Sequence, residues 1–132
     1  PGVPKVNINL FENKIFNINN LDIIPIKALH YKMQVFGFRI NDFVYLTDIS
    51  EISEIEKEKI KGADLLILDS LQRKKHISHF NLEQSINLIE EIKPKRALLT
   101  HISHHMGLHE EVNNQLPSNI QLAFDGQTLK IN

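Results

Sequence analysis

Apolar and polar residues alternate through KVNINLFENKIFNI, residues 5–18. Two short alternating stretches, VNINL and KIFNI, flank Glu12-Asn13, and the period of two predicts a β-hairpin. LDIIPIKALH (21–30) predicts another strand, with Pro25 marking an edge or bulge position because proline offers no N–H to a ladder. VFGFRINDFVYLTD (35–48) is the clearest hairpin signal, two apolar runs around the turn residues Asn41-Asp42.

The period then lengthens. EISEIEKEKIK (51–61) places Ile52, Ile55 and Ile60 on one helical face, with Gly62 as the stop. ADLLILD (63–69) is a continuous apolar strand of the kind covered on both faces. NLEQSINLIEEIK (81–93) predicts an amphipathic helix: Asn81 suits the N-cap, Leu82, Ile86, Ile89 and Ile92 form the stripe, and Pro94 ends it. RALLTH is the next buried strand. GLHEEVNNQLP predicts a shorter helix through Leu108, Val112 and Leu116, and the strands IQLAF and TLKI close the chain around Asp125-Gly126. Antiparallel hairpins followed by strand, helix, strand, helix define a mixed α/β (α+β) architecture in one domain or part of one.

Composition narrows the classes. The chain has 132 residues, 42% hydrophobic and 23% charged, as in a soluble globular protein. A net charge of −1 argues against a general nucleic-acid or anionic-membrane surface. No apolar run approaches the ~20 residues of a membrane span, and no charged-then-apolar leader opens the chain. With no cysteine, disulfides and thiolate metal sites are excluded, and a cytoplasmic setting is expected. The chain opens PGVP without an initiator Met, which suggests residues upstream.

Four apolar runs each end in an ionisable residue: IIPIKAL in His30, FVYLT in Asp48, LLIL in Asp69 and ALLT in His101. Strand ends on one sheet edge are where α/β folds hold ligands. A partly desolvated carboxylate or imidazole there is costly unless paired or bound to a metal. Imidazole and carboxylate without sulfur suit zinc, manganese or iron in a catalytic site with open positions. A two-metal site would use a carboxylate as bridge and activate a water for in-line attack on an ester. Serine-histidine-aspartate catalysis lacks a nucleophile elbow here, and no glycine-rich phosphate loop supports nucleotide-triphosphate or dinucleotide binding. Structural caps and turns are the competing account of each strand-end residue.

FGFRINDFVYLTD, LLILDSLQRKKHISHF, ALLTHISHHMGLHEEV and LAFDG, in that order, resemble the metallo-β-lactamase-fold hydrolases. The likeness extends to the opening PGVP. It points to the phosphodiesterase branch of bacterial phosphonate breakdown, which is similar to the tRNA 3′-processing endonuclease. The resemblance implies that His30 ligates one metal, Asp48 bridges two divalent ions (zinc or manganese), and His101 ligates the second. It implies that His79 faces the scissile phosphate, with Asp69 orienting and charging it; His76 is a weaker candidate. The family's His-x-His-x-Asp-His motif is absent. The expected fold is therefore the C-terminal half of an αββα sandwich, a partial domain over residues 1–132.

The implied activity is metal-dependent phosphodiester hydrolysis by the full chain on a small phosphate ester, with nucleic acid only as a substrate. The 132-residue piece alone is expected to hold metal weakly, to show little activity, and to form a homodimer or associate with the N-terminal half. The alternative is a metal-free α/β interaction module. The remaining histidines carry less: His104 is expected near the mouth of the site, and His105 and His109 on a helix surface. Arg73-Lys74-Lys75 is a solvated run that would also attract an anionic phosphate. Asp64 opens its strand, Asp125 is a turn residue, and Phe36, Phe38, Phe43 and Tyr45 pack the hairpin.

Overall fold

The computed structural model describes residues 5–131. The PGVP stretch lies outside the described residues. The chain forms a mixed sheet of eight strands: β1 (Phe16–Ile18), β2 (Leu21–His30), β3 (Met33–Ile40), β4 (Phe43–Leu46), β5 (Glu51–Ile52), β6 (Leu65–Asp69), β7 (Arg96–Thr100) and β8 (Ile120–Leu122). Spatial order is β1-β2-β3-β4-β6-β7-β8, with β5 also pairing β2. Three helices accompany it: α1 (Glu54–Glu58), α2 (Leu82–Ile92) and α3 (His109–Asn113). Among the described residues no helix is long and apolar enough to cross a membrane.

Direction along the strands is what positions the site. The pairs β2·β3 and β3·β4 are antiparallel, whereas β4·β6, β6·β7 and β7·β8 are parallel. Two reversals leave β2 pointing the same way as β4, β6 and β7. Their C-terminal ends, His30, Asp48, Asp69 and His101, therefore meet one rim of the sheet.

Alternating residues of the strands build the core. Val44, Leu66, Ala97 and Ile120 are in register across four strands, as are Leu46 and Leu68. They pack with Leu82, Leu88, Ile89 and Ile92 of α2. Asn81 caps that helix reciprocally: its side chain accepts from the Gln84 amide, and the Gln84 side chain accepts from the Asn81 amide. Gly37 in β3 lies against β4, where an added Cβ would stand 2.5 Å from Leu46 Cδ1 and 2.7 Å from the Tyr45 carbonyl oxygen. The far face is apolar too. Phe11 folds onto Phe16, Phe36 and Phe38 with ring centroids 5.2, 5.1 and 5.7 Å away, covering one end. Tyr45, beside Ile67 in the next strand, remains 47% exposed.

Several expectations need correction. No hairpin forms around Glu12-Asn13. Residues 5–15 are outside any strand, and the first hairpin joins β1 to β2 through Asn19 and Asn20, both with positive φ (48° and 67°). Asparagine tolerates that region, and the primed two-residue turn matches strand twist. TLKI forms no strand, and IQLAF is one only over Ile120–Leu122. The 51–61 helix shrinks to Glu54–Glu58, and Ile55 is 77% exposed. Glu56 turns inward instead.

The inward turn satisfies a sheet edge. Between its pairings with β1 and β5, β2 has residues 24–27 unpaired on that side. Pro25, with no N–H to lose, sits there, as the edge reading expected. Glu56 accepts from the Lys27 amide (2.8 Å) and from Asn13 Nδ2 (2.7 Å), and pairs with Lys59 at 2.7 Å. Lys59 also donates to the Pro25 carbonyl oxygen (2.9 Å). Burial works to raise the Glu56 pKa, but hydrogen bonds from Lys59, Asn13 and the Lys27 amide outweigh it and hold the carboxyl below its ordinary value.

A depressed carboxyl stabilises the fold above its unfolded pKa near 4.5 and loses that contribution as pH falls through the folded value. Glu56→Gln should therefore cost about 1–3 kcal/mol at pH 7, measured by urea denaturation. The deficit should shrink steadily below pH 4.5. An equal deficit at pH 3 and pH 7 would contradict the edge role.

Candidate metal centre

Asp69 terminates β6 with its side chain fully buried. One oxygen, Oδ2, accepts from the Ile49 amide at 3.2 Å and shares a hydrogen bond with His79 Nδ1 at 2.9 Å. The other, Oδ1, is buried without a hydrogen-bond partner. Ile49 follows Asp48, and its carbonyl oxygen in turn accepts from the Phe80 amide at 2.7 Å. One carboxylate thus ties the end of β4 to the loop carrying His79.

His30, Asp48 and His79 each offer a ligand atom, and these atoms lie within 4.8 Å of one another. His30 Nδ1 donates to the Ser78 carbonyl oxygen at 2.8 Å. Because a carbonyl only accepts, Nδ1 carries the proton, and the lone pair lies on Nε2. Locking a histidine tautomer through its other ring nitrogen is how metal-binding histidines are oriented. His101 does not join this group of three, but its Nε2 stands 3.7 Å from Asp48 Oδ1, and its ring stacks on His79 at 4.6 Å and 26°. Asp48 is therefore within reach of all three imidazoles, His30, His79 and His101. Its side chain is 49% exposed and that of His101 39%, so the rim is open.

Asp48 and His101 both have φ of 60°. The left-handed conformation turns the chain sharply at the ends of β4 and β7, and strain of this kind gathers at functional sites. Asp and His tolerate it better than most residues.

Burial pushes the Asp69 carboxyl up to about 7; Asp48 adds to the rise, while the Ile49 amide, His101 and His30 oppose it. His79 moves the other way, lowered first by burial and then by His30, with Asp48 opposing. Near neutrality the pair has two arrangements. Protonated Asp69 donates to Nδ1, so the neutral His79 ring presents Nε2–H to the rim. Ionised Asp69 accepts from Nδ1–H, and Nε2 then presents a lone pair. The dyad can offer either a proton or a ligand from one atom.

The other histidines separate. His76 stacks near His79 (5.3 Å) and its Nδ1 meets Ser78 Oγ at 3.2 Å. His104 and His105 contact each other, rings 3.9 Å apart, on an exposed turn. His109 is more than a surface residue: Nε2 donates to the Leu122 carbonyl oxygen at 3.2 Å while Asn113 Oδ1 accepts from the Leu122 amide at 2.8 Å. Two side chains of α3 thus act as a strand partner for β8. All three residues of the basic run are exposed, and Arg73 also donates to Met106 O and Gln115 Oε1. Asp64 opens β6 and pairs with Lys95 at 2.7 Å, and Asp125 is an exposed turn residue before Gly126 (φ 82°).

A sheet ending in this histidine and aspartate rim defines a class. Residues 2–102 match the family model of the beta-lactamase superfamily domain, and the chain belongs to that superfamily. A solved diphosphatase of the PhnP family superposes with a TM-score of 0.89 at 37% identity, over 92% of this chain and 48% of that one. Human tRNase Z, short form, shares the fold at 20% identity, with a TM-score of 0.69 over 91% of this chain and 48% of its own. The octanoyltransferase of Porphyromonas gingivalis (strain ATCC BAA-308 / W83) is 33% identical over 128 residues, 96% of this chain but 26% of that protein. The chain spans about half the length of those two structures and about a quarter of this curated relative.

An acid whose folded pKa is raised stabilises the fold fully below its unfolded value, 3.8, and that contribution is gone once pH passes about 7. With chelator present, Asp69→Asn should therefore gain on the parent between pH 4 and 7, by an order of a few kcal/mol, and level off above. Thermal melts across that range test this; a constant difference between the two proteins would refute the raised carboxyl.

Proposed function

We propose that this chain supplies the C-terminal half of a metal-dependent hydrolase, and that the complete protein cleaves small phosphate esters at a dinuclear site. The observation that carries the reading is the convergence of His30, Asp48 and His79 within 4.8 Å, with His101 3.7 Å beyond Asp48. The donor set fits divalent ions: the His30 and His101 imidazoles and the Asp48 carboxylate without sulfur, His30 already fixed in a ligating tautomer, and a buried carboxylate behind His79. His30 and Asp48 would hold one ion, Asp48 and His101 the other, zinc or manganese. Such ions, when bound, acidify water and polarise a phosphoryl oxygen.

The chain's own residues do the rest. Asp69 holds the His79 ring by Nδ1, so that Nε2 faces the rim and the scissile phosphate. There it stabilises charge on the phosphoryl oxygens, or hands its proton to the leaving oxygen while Nδ1 takes the Asp69 proton in exchange. Exposed Lys74 and Lys75 draw anionic esters toward the opening. The PhnP-family diphosphatase, at 37% identity, supports hydrolysis at phosphorus. The half-covered apolar sheet face and the half-length match support the reading that a second half completes the sandwich and the ligand set.

Hydrolysis of bis-p-nitrophenyl phosphate by the full-length protein is the test. Asp48→Ala should lose at least ~100-fold in kcat, because removing a bridging carboxylate empties both positions. His79→Ala should lose ~100-fold through its proton or charge role while retaining bound zinc by elemental analysis. Near-parental turnover by Asp48→Ala would end the dinuclear assignment.

A further inference from the structure

Two loops bring the rim together, and Arg73 joins them. The loop after β6 carries His76 and His79; the loop after β7 carries His101, His104 and His105. At their roots they are tied by backbone bonds, Ser70 N to Thr100 O (2.9 Å) and Ser103 N to Leu71 O (2.8 Å). Farther out the Arg73 side chain alone provides a two-pronged link. Its Nε donates to the Met106 carbonyl oxygen at 3.0 Å and Nη2 to Gln115 Oε1 at 2.8 Å. The Arg73 backbone is itself fixed, since buried Asn81, the cap of α2, donates from Nδ2 to its carbonyl oxygen at 3.2 Å. Met106 is fully buried, so the guanidinium pulls on a firm point.

We infer that Arg73 is a positioning residue that sets the spacing of His79 and His101, and not a phosphate contact as its place in a basic run suggested. The chain of contacts runs from the α2 cap through Asn81 to Arg73, and from its planar fork to Met106 on the far loop and to Gln115 just past α3. His79 follows Arg73 on one loop, His101 precedes Met106 on the other, and their rings stack at 4.6 Å between centres. A guanidinium holds both acceptors in a fixed plane, whereas an ammonium is a point donor on a flexible stem. The neighbouring Lys74 and Lys75 remain exposed for an anionic ligand. The inference rests on the metal-centre reading for its consequence but not for its geometry.

The test uses the full-length protein with Arg73→Gln, Arg73→Lys and Gln115→Leu. In chelator-treated protein, nuclear Overhauser contacts between the His79 and His101 imidazoles report the spacing. They should be lost in Arg73→Gln, weakened in Gln115→Leu and partly restored in Arg73→Lys, while the His79 Nδ1–H signal on Asp69 persists. Zinc affinity should fall by ~10-fold in Arg73→Gln, as when a group orienting a ligand is removed, with Arg73→Lys between it and the parent. Retained imidazole contacts in both Arg73→Gln and Gln115→Leu would overturn the positioning role; if Arg73→Gln fails to fold, Gln115→Leu decides alone. Failure of the parent itself to bind zinc would sink the metal centre, while the imidazole contacts still judge Arg73.

Discussion

The buried carboxylate of Asp69 is the contact on which the geometry of the rim depends. A carboxylate removed from water at the end of a central strand must find hydrogen-bond partners, and the two that Oδ2 finds belong to different segments, Ile49 and His79. Ile49 is adjacent to Asp48, and Phe80, adjacent to His79, bonds back to Ile49. His30 then leans on the Ser78 carbonyl of the same loop. Three of the converging side chains are thus held through one desolvated group. The Oδ1 atom left without a partner, and the pKa raised to about 7, are the cost of that arrangement. A cation nearby would offset it, because positive charge favours the ionised form.

Strand direction explains why the sequence exposed so much of this. Each of His30, Asp48, Asp69 and His101 follows an apolar run, and each run is a strand whose end lies on one rim. The central strands β6 and β7 were legible because LLIL and ALL carry no polar face, as strands covered on both sides do; that β4 joins them in parallel was not. The Asn81 N-cap of α2 and the Asn41-Asp42 turn were equally plain, since both are local. What the sequence could place was the identity of the rim residues; that His79 rather than His101 joins His30 and Asp48 depends on loop closure over Asp69, which no spacing reveals.

Some elements were misread, and other residues do more than their pattern assigns. KIFNI was paired with its neighbour across Glu12-Asn13, when the better turn was Asn19-Asn20, two residues able to adopt positive φ in succession. The apolar period put Ile55 inside, yet the polar demand of an unpaired stretch of β2 drew Glu56 in. His109 was a surface helix residue by pattern but serves β8 as a hydrogen-bond partner. Arg73 was a charge in a basic run but spends its donors on Met106 and Gln115. For Glu56, His109 and Arg73 a backbone group distant in sequence required satisfaction, and only the assembled sheet shows which one.

Exposure grades across the rim in a way that bears on how it works. Asp69 is fully buried and the His79 side chain 11% exposed, whereas His101 and Asp48 are 39% and 49% exposed. The inner pair is fixed by protein contacts and has its proton affinities set by burial; the outer pair faces the opening and owes its aim to two left-handed backbone positions. Rigid inner groups suit the orienting of a reacting phosphate, for which small displacements are costly. Open outer groups suit ligands that must accept further partners. The same open side continues into the apolar sheet face that Phe11 covers only at one end. Under the proposed function, a second layer seated on that face would cover the sheet and supply the remaining ligands together, so that folding and completion of the site become one structural event.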